Sequence, residues 1–126
     1  MIRLAAGASI LLLAGGCHRA EVRLPDGCYR TESGTPLFRI GGELGTFAGG
    51  DPRQFRVKTG PDYVEIYPHF YLHDAGDGVG GSQWIAVATQ PIRAGRFGVA
   101  WRGDRPVISV PIEATGEIKA SPGKAC

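Results

Sequence analysis

After its first residues the chain has almost no helical periodicity. None of its charge-free apolar runs reaches the ~20 residues that a helix needs to cross a hydrocarbon core. Charge of one sign is missing too: 14 Lys+Arg stand against 12 Asp+Glu, a formal net charge of +2. Nucleic-acid binding draws on phosphate neutralisation by a clear basic excess, so this balance gives no reason to expect it. Serine is scarce in the body of the chain (Ser33, Ser82, Ser109, Ser121), and none sits in a G-x-S-x-G elbow. There is no internal repeat and no sign of a second domain. These absences argue against a helical bundle, a membrane-spanning helix, a nucleic-acid binder and an elbow-type serine hydrolase.

What is present begins at the first residues. Arg3 supplies a positive start, Leu4 to Gly16 follow without a charge, and Ala14-Gly15-Gly16 place small side chains directly before Cys17. A basic start, a short apolar stretch and small residues at a cut site describe an export signal. As a helix, Leu4 to Gly16 would be about 20 Å long, against roughly 30 Å of hydrocarbon. Residues 1–16 are therefore expected to be a cleaved signal peptide. About 110 residues then remain, enough for one small domain.

Leu13-Ala14-Gly15-Gly16-Cys17 resembles the lipobox of bacterial lipoproteins. The resemblance covers the signal region alone, and the leucine stands four residues before the cysteine where the family usually has three. It implies that Cys17 carries fatty acyl (palmitate) chains on sulfur, that the peptide is cut just before it, and that the new amino end is acylated. Several acyl chains make a stable anchor, each buried methylene adding ~0.8 kcal/mol. Residue 18 is His and not the Asp that retains enteric lipoproteins in the inner membrane. The resemblance thus implies an outer-membrane protein, with its domain expected to face the periplasm. Residues 17–26, with Pro25 and little periodicity, read as the lipidated tether.

Export into an oxidising compartment permits a disulfide. With Cys17 lipidated, Cys28 and Cys126 remain, and they are expected to pair with each other; a mixed disulfide with another protein is the alternative.

Twenty glycines and nine prolines are spread between short apolar runs, the pattern of turns in a β protein. Residues 27–126 read as an all-β single domain, a small antiparallel barrel or sandwich of about eight short strands. Strands are expected at 27–31, 36–40, 44–48, 54–58, 63–67, 82–89, 96–102 and 107–113, with a last short one near 116–120. The alternation of 54–58 turns Phe55 and Val57 inward, and the same rule selects Phe38, Ile40, Val64, Ile66, Phe97, Val99, Trp101, Ile108, Val110 and Ile112. The run 82–89 is uniformly apolar, which suits a central strand. Pro111 belongs at an edge or bulge.

The longest expected break between strands is Pro68 to Ser82, and three chemistries compete there. Gly76-Asp77-Gly78-Val79-Gly80-Gly81 matches G-x-G-x-x-G in form, but a strand follows where the nucleotide fingerprint requires a helix. His69 and His73 with Asp74 and Asp77 could ligate a metal only in a coiled loop, since i and i+4 lie about 13 Å apart in a strand. No metal and no cofactor are expected. His73 with Asp74 or Asp77 could act as base and acid of a small envelope hydrolase, although no nucleophile is evident. The competing reading is a solvated turn in which Phe70 and Leu72 plug the barrel end.

Two further features suit an interaction surface. Tyr63, Tyr67 and Tyr71 recur every four residues, which on a continuous strand makes an exposed aromatic face. Arg93, Arg96, Arg102 and Arg105 surround one expected hairpin, where an acidic partner or lipid phosphates could meet them. The sequence thus favours a lipid-anchored binding or interaction module of the envelope with a protein partner, with the hydrolase as the alternative. Small periplasmic lysozyme inhibitors share this broad plan of architecture, without a shared sequence signature.

Overall fold

Gln54-Phe55-Arg56-Val57-Lys58-Thr59 alternates exposed and buried side chains without a slip, and most of the chain repeats that rule. A computed structural model describes residues 23–76, 83–113 and 116–123. Among them the structure is all-β, with ten strands: β1 Gly27–Arg30, β2 Pro36–Gly41, β3 Leu44–Phe47, β4 Gln54–Thr59, β5 Tyr63–Tyr67, β6 Phe70–Asp74, β7 Trp84–Ala88, β8 Gly95–Arg102, β9 Arg105–Pro111 and β10 Glu117–Gly123.

Eight of them close an antiparallel barrel in the order β1-β2-β3-β4-β5-β8-β9-β10, and pairing of β10 with β1 leaves no free edge in it. The inward set contains Tyr29, Phe38, Ile40, Phe55, Val57, Val64, Ile66, Phe97, Val99, Ile108 and Val110, all buried. Trp101 and Ile112 are only partly buried and pack against this core from its margins. Gly45 faces inward beside Ile40 and Phe55, and a methyl there would overlap the Phe55 ring. A small residue beside a large one is how so narrow a barrel accepts a phenyl ring. The interior is a packed aromatic core.

The run 82–89 departs from expectation. It is not a central barrel strand: β7 covers Trp84–Ala88 and pairs only with β6, a strand inside the segment expected to be a loop. β5 and β8 bond directly to each other, Val64 opposite Phe97, so the β6–β7 hairpin leaves the barrel between them and folds over its end. Phe70 inserts its ring among Phe47, Phe55 and Phe97, with centroids 4.8, 5.1 and 5.2 Å away. Leu72 and Ala86 are buried on the same side of the hairpin. Phe70 and Leu72 do plug the barrel end, as a two-stranded cap and not as a coil.

Strand direction then sorts the connections. The capped end carries the 31–35 and 48–53 loops, the 90–94 segment, the end of β9 and the start of β10. The far end carries the entry into β1, the turn at Gly42, the 60–62 turn, the Arg102–Arg105 turn and Gly123. Asp26 Oδ1 accepts a hydrogen bond from the Gly42 amide at 2.9 Å, which fixes the chain's entry to that far end.

Candidate functional site

The cap is held to the barrel along one side by backbone. Leu72 C=O accepts from the Glu113 N–H at 2.9 Å, and Leu72 forms a parallel bridge with Ile112. The His69 N–H donates to Arg93 C=O at 2.7 Å, where the hairpin leaves the barrel. On the other side the link is a side chain. Arg53, just before β4, donates through Nη2 to Ala86 C=O at 2.7 Å and to Asp51 Oδ2 at 2.6 Å. Its guanidinium also stands 5.5 Å from the centroid of the Phe47 ring. Those hydrogen bonds hold the Asp51 carboxyl below the usual carboxylate range, and the carboxylate in turn raises Arg53.

Beside this link the cap does not close on the rim. A groove of about 370 Å³ runs between β7 and the rim of β2–β3, walled by Leu37, Phe47, Leu72, Trp84 and Ala86. The rim beyond Phe47 is Ala48-Gly49-Gly50-Asp51. Gly49 and Gly50 have φ of 79° and 83°, a left-handed backbone that favours glycine, so these two positions put no side chain into the groove. Ile85 lies on the outer side of the cap at the same groove, 43% exposed.

The hinge of the cap is His69. Its ring packs against Gly95, where a methyl would overlap it, and meets Phe97 edge-on at 5.9 Å. Nδ1 is buried, with no hydrogen-bond partner among the described residues. Burial, with Arg93 second, pushes the imidazole pKa below its ordinary value. A cavity of about 50 Å³ beside it is lined by Arg53, Phe55, Phe70 and Ala88.

The residues singled out from the sequence are scattered around this arrangement. His73 and Asp74 are neighbours on β6, so their side chains leave opposite faces of the hairpin. His73 Nδ1 pairs with Glu113 at 2.6 Å, while Asp74 accepts from the Gly76 amide at 2.9 Å. Asp77 lies outside the described residues. Tyr63 and Tyr67 share the outer face of β5, but Tyr71 sits on β6 in the other sheet, so the three make no continuous ladder. Tyr63 is covered by the Arg96 guanidinium, 4.2 Å above its ring, whereas Tyr67 is half-exposed.

Nor do the arginines form one cluster. Arg93 and Arg96 stand at the capped end, and Arg102 faces Arg105 across the turn at the far end, with β8 between them. Cys28 is buried on β1, while Cys17 and Cys126 lie outside the described residues.

Sequence reasoning passed over Arg53, Trp84, Ile85 and Glu113, which build the cap's margins. One signal was present: Trp84 to Ala88 is apolar on both faces, so it needed cover on both, and a two-stranded cap gives Ile85 none. No protein-family model matches this chain, and no curated protein or solved structure matches it either.

Proposed function

We propose that this chain is a lipid-anchored binding module of the outer membrane, holding a protein of the cell envelope at the capped end of its barrel. The observation that carries the reading is one of placement. The chain enters the barrel at the far end, beside Gly42, and the groove opens at the other. With Cys17 acylated and residues 1–16 removed, the stretch from Cys17 to Arg23 reaches at most about 20 Å. The far end then stays near the bilayer, and the groove with Ile85 points away from it into the periplasm. Cys28 supports the export reading. It alternates with core-facing Tyr29 yet is wholly buried, and it lies opposite Gly123, three residues before Cys126. A Cys28–Cys126 disulfide would account for that burial and close nearly the whole domain.

The test places a photocrosslinking amino acid at Ile85 or at Asp104 in the full-length protein in intact envelopes. One recurrent protein captured from Ile85 and not from Asp104, together with fatty-acid labelling lost in Cys17→Ala, is the expected result. Equal capture from both positions, or unchanged labelling in Cys17→Ala, defeats the reading.

A small hydrolase is the second reading, favoured by one contact: Glu113 holds the His73 imidazole through Nδ1 and leaves Nε2 turned away from that bond. A base oriented by a carboxylate could activate water. Turnover of an envelope ester or amide, lost in His73→Gln, would move the assignment there.

A further inference from the structure

We propose that the groove binds an extended, uncharged peptide segment, which adds to the free edge of β7 as a third strand of the cap. The proposal rests on the reading of the capped end as the binding end and names the chemistry of what binds there.

The register of the cap decides which backbone groups are spent and which are open. Ala75 N–H donates to Gln83 C=O at one end of the hairpin, and Thr89 N–H to His69 C=O at the other. Hydrogen-bonded pairs alternate with unbonded ones in an antiparallel ladder, so Tyr71 with Val87 and His73 with Ile85 are bonded. Leu72 with Ala86 and Asp74 with Trp84 are not, and their N–H and C=O groups turn outward. Two contacts agree with this phase: Leu72 C=O reaches Glu113, and Ala86 C=O reaches Arg53. Among the described residues β7 has no strand on its other side. The Trp84 N–H and C=O and the Ala86 N–H therefore face outward along the groove, spaced as a strand requires.

The walls say what kind of strand fits. Asp51 and Arg53, the charged pair at the groove's end, neutralise each other at 2.6 Å, so the groove offers an ionic partner no counter-charge. Arg53 also occupies the Ala86 carbonyl, so added pairing starts at the Ala86 amide and runs toward Gln83. Along that stretch, alternate side chains of an added strand would rest on Leu37, Phe47 and Trp84, and the others would stand beside Ile85 in solvent. Gly49 and Gly50 leave room for its backbone. Main-chain hydrogen bonds with pockets for alternate side chains are the elements of strand addition, and an uncovered edge is the site that invites it.

The experiment uses the full-length lipidated protein in detergent micelles, with amide exchange resolved by residue. Without peptide, the Trp84 and Ala86 amides should exchange at least ~10-fold faster than those of Ile85 and Val87, which β6 already binds. Phage-displayed random heptapeptides are then selected on the same protein, and the winners are synthesised. A winner should slow Trp84 and Ala86 at least ~10-fold. N-methylation at alternate peptide positions should weaken binding at least ~10-fold, with the intervening positions tolerant.

Equal protection of the four amides in the free protein would overturn the proposal, because the edge would already be covered. So would the absence of any selected peptide, or an N-methyl scan without alternation. Capture of an envelope protein from Ile85 with these arms failing would leave the binding role standing and remove strand addition. Success here with no capture would do the reverse.

Discussion

His69 joins cap to barrel, and its burial has consequences that can be measured. Burial first and the neighbouring Arg93 second keep the imidazole pKa below its ordinary value, while the unfolded chain takes a proton near 6.5. Arg53 lines the cavity beside it, and among the described residues no carboxylate does. A folded pKa below the unfolded one means the unfolded state binds the extra proton first. His69's contribution is therefore complete above about pH 6.5 and is lost as pH falls below it toward the folded pKa. Urea midpoints taken between about pH 7.5 and about pH 5 should fall less steeply in His69→Leu than in the unaltered protein. Equal slopes would mean that His69 does not carry this dependence. Gly95 tests the same contact sterically, since its φ is not in the left-handed region and only space is at issue. Gly95→Ala should cost about 1–3 kcal/mol by overpacking, and adding His69→Ala should restore part of that loss. Additive costs in the double variant would place the strain elsewhere.

The β6–β7 hairpin is the element that made the difference between what could be read in advance and what could not. Barrel strands such as β4 and β5 were legible because one face meets the core and the other meets water, which writes a period of two into the sequence. Cap strands obey a different rule. In β6, Phe70 and Leu72 face the barrel interior while Tyr71 and His73 stay half-covered, so the alternation is present but looks like a turn beside Pro68 and the glycines at 76–81. β7 reads as central because it is apolar throughout, yet it has one strand neighbour. The local pattern reports burial, and it does not report which sheet supplies it. For the same reason the tyrosines and arginines looked grouped: the chain leaves the barrel after Tyr67, and the span of β8 separates Arg96 from Arg102. The element's role gives a contrast of two variants. Phe70→Ala removes a ring packed against four others and should cost about 3–5 kcal/mol in global unfolding. Arg53→Ala removes an exposed link and should cost only about 1 kcal/mol globally. It should nevertheless speed exchange of the Tyr71 and Val87 amides, because the cap opens before the barrel does. A large global loss in Arg53→Ala, with cap exchange unchanged, would show that cap and barrel open as one unit.

At the scale of the molecule the question is closure. β1 and β10 complete the barrel, and they are the first and last of the described strands, so the contact that closes the ring joins segments far apart in the chain. Their pairing is short, from Cys28 opposite Gly123 to Arg30 opposite Ser121. A covalent link at that seam would constrain nearly the whole chain. In the chain-entropy account, a bridge closing a loop of ~100 residues stabilises by about 4–5 kcal/mol. Denaturation of the oxidised protein should therefore lose about that much when reductant is added, and Cys126→Ser should be equally unstable and indifferent to reductant. Exchange along β1 and β10 should rise before that of β4 and β5, because the seam is released first. Peptide mapping without reduction should recover Cys28 joined to Cys126. Recovery of either thiol joined to another protein's cysteine would make the bridge an intermolecular one, and stability unmoved by reductant would leave closure to the β1–β10 hydrogen bonds alone.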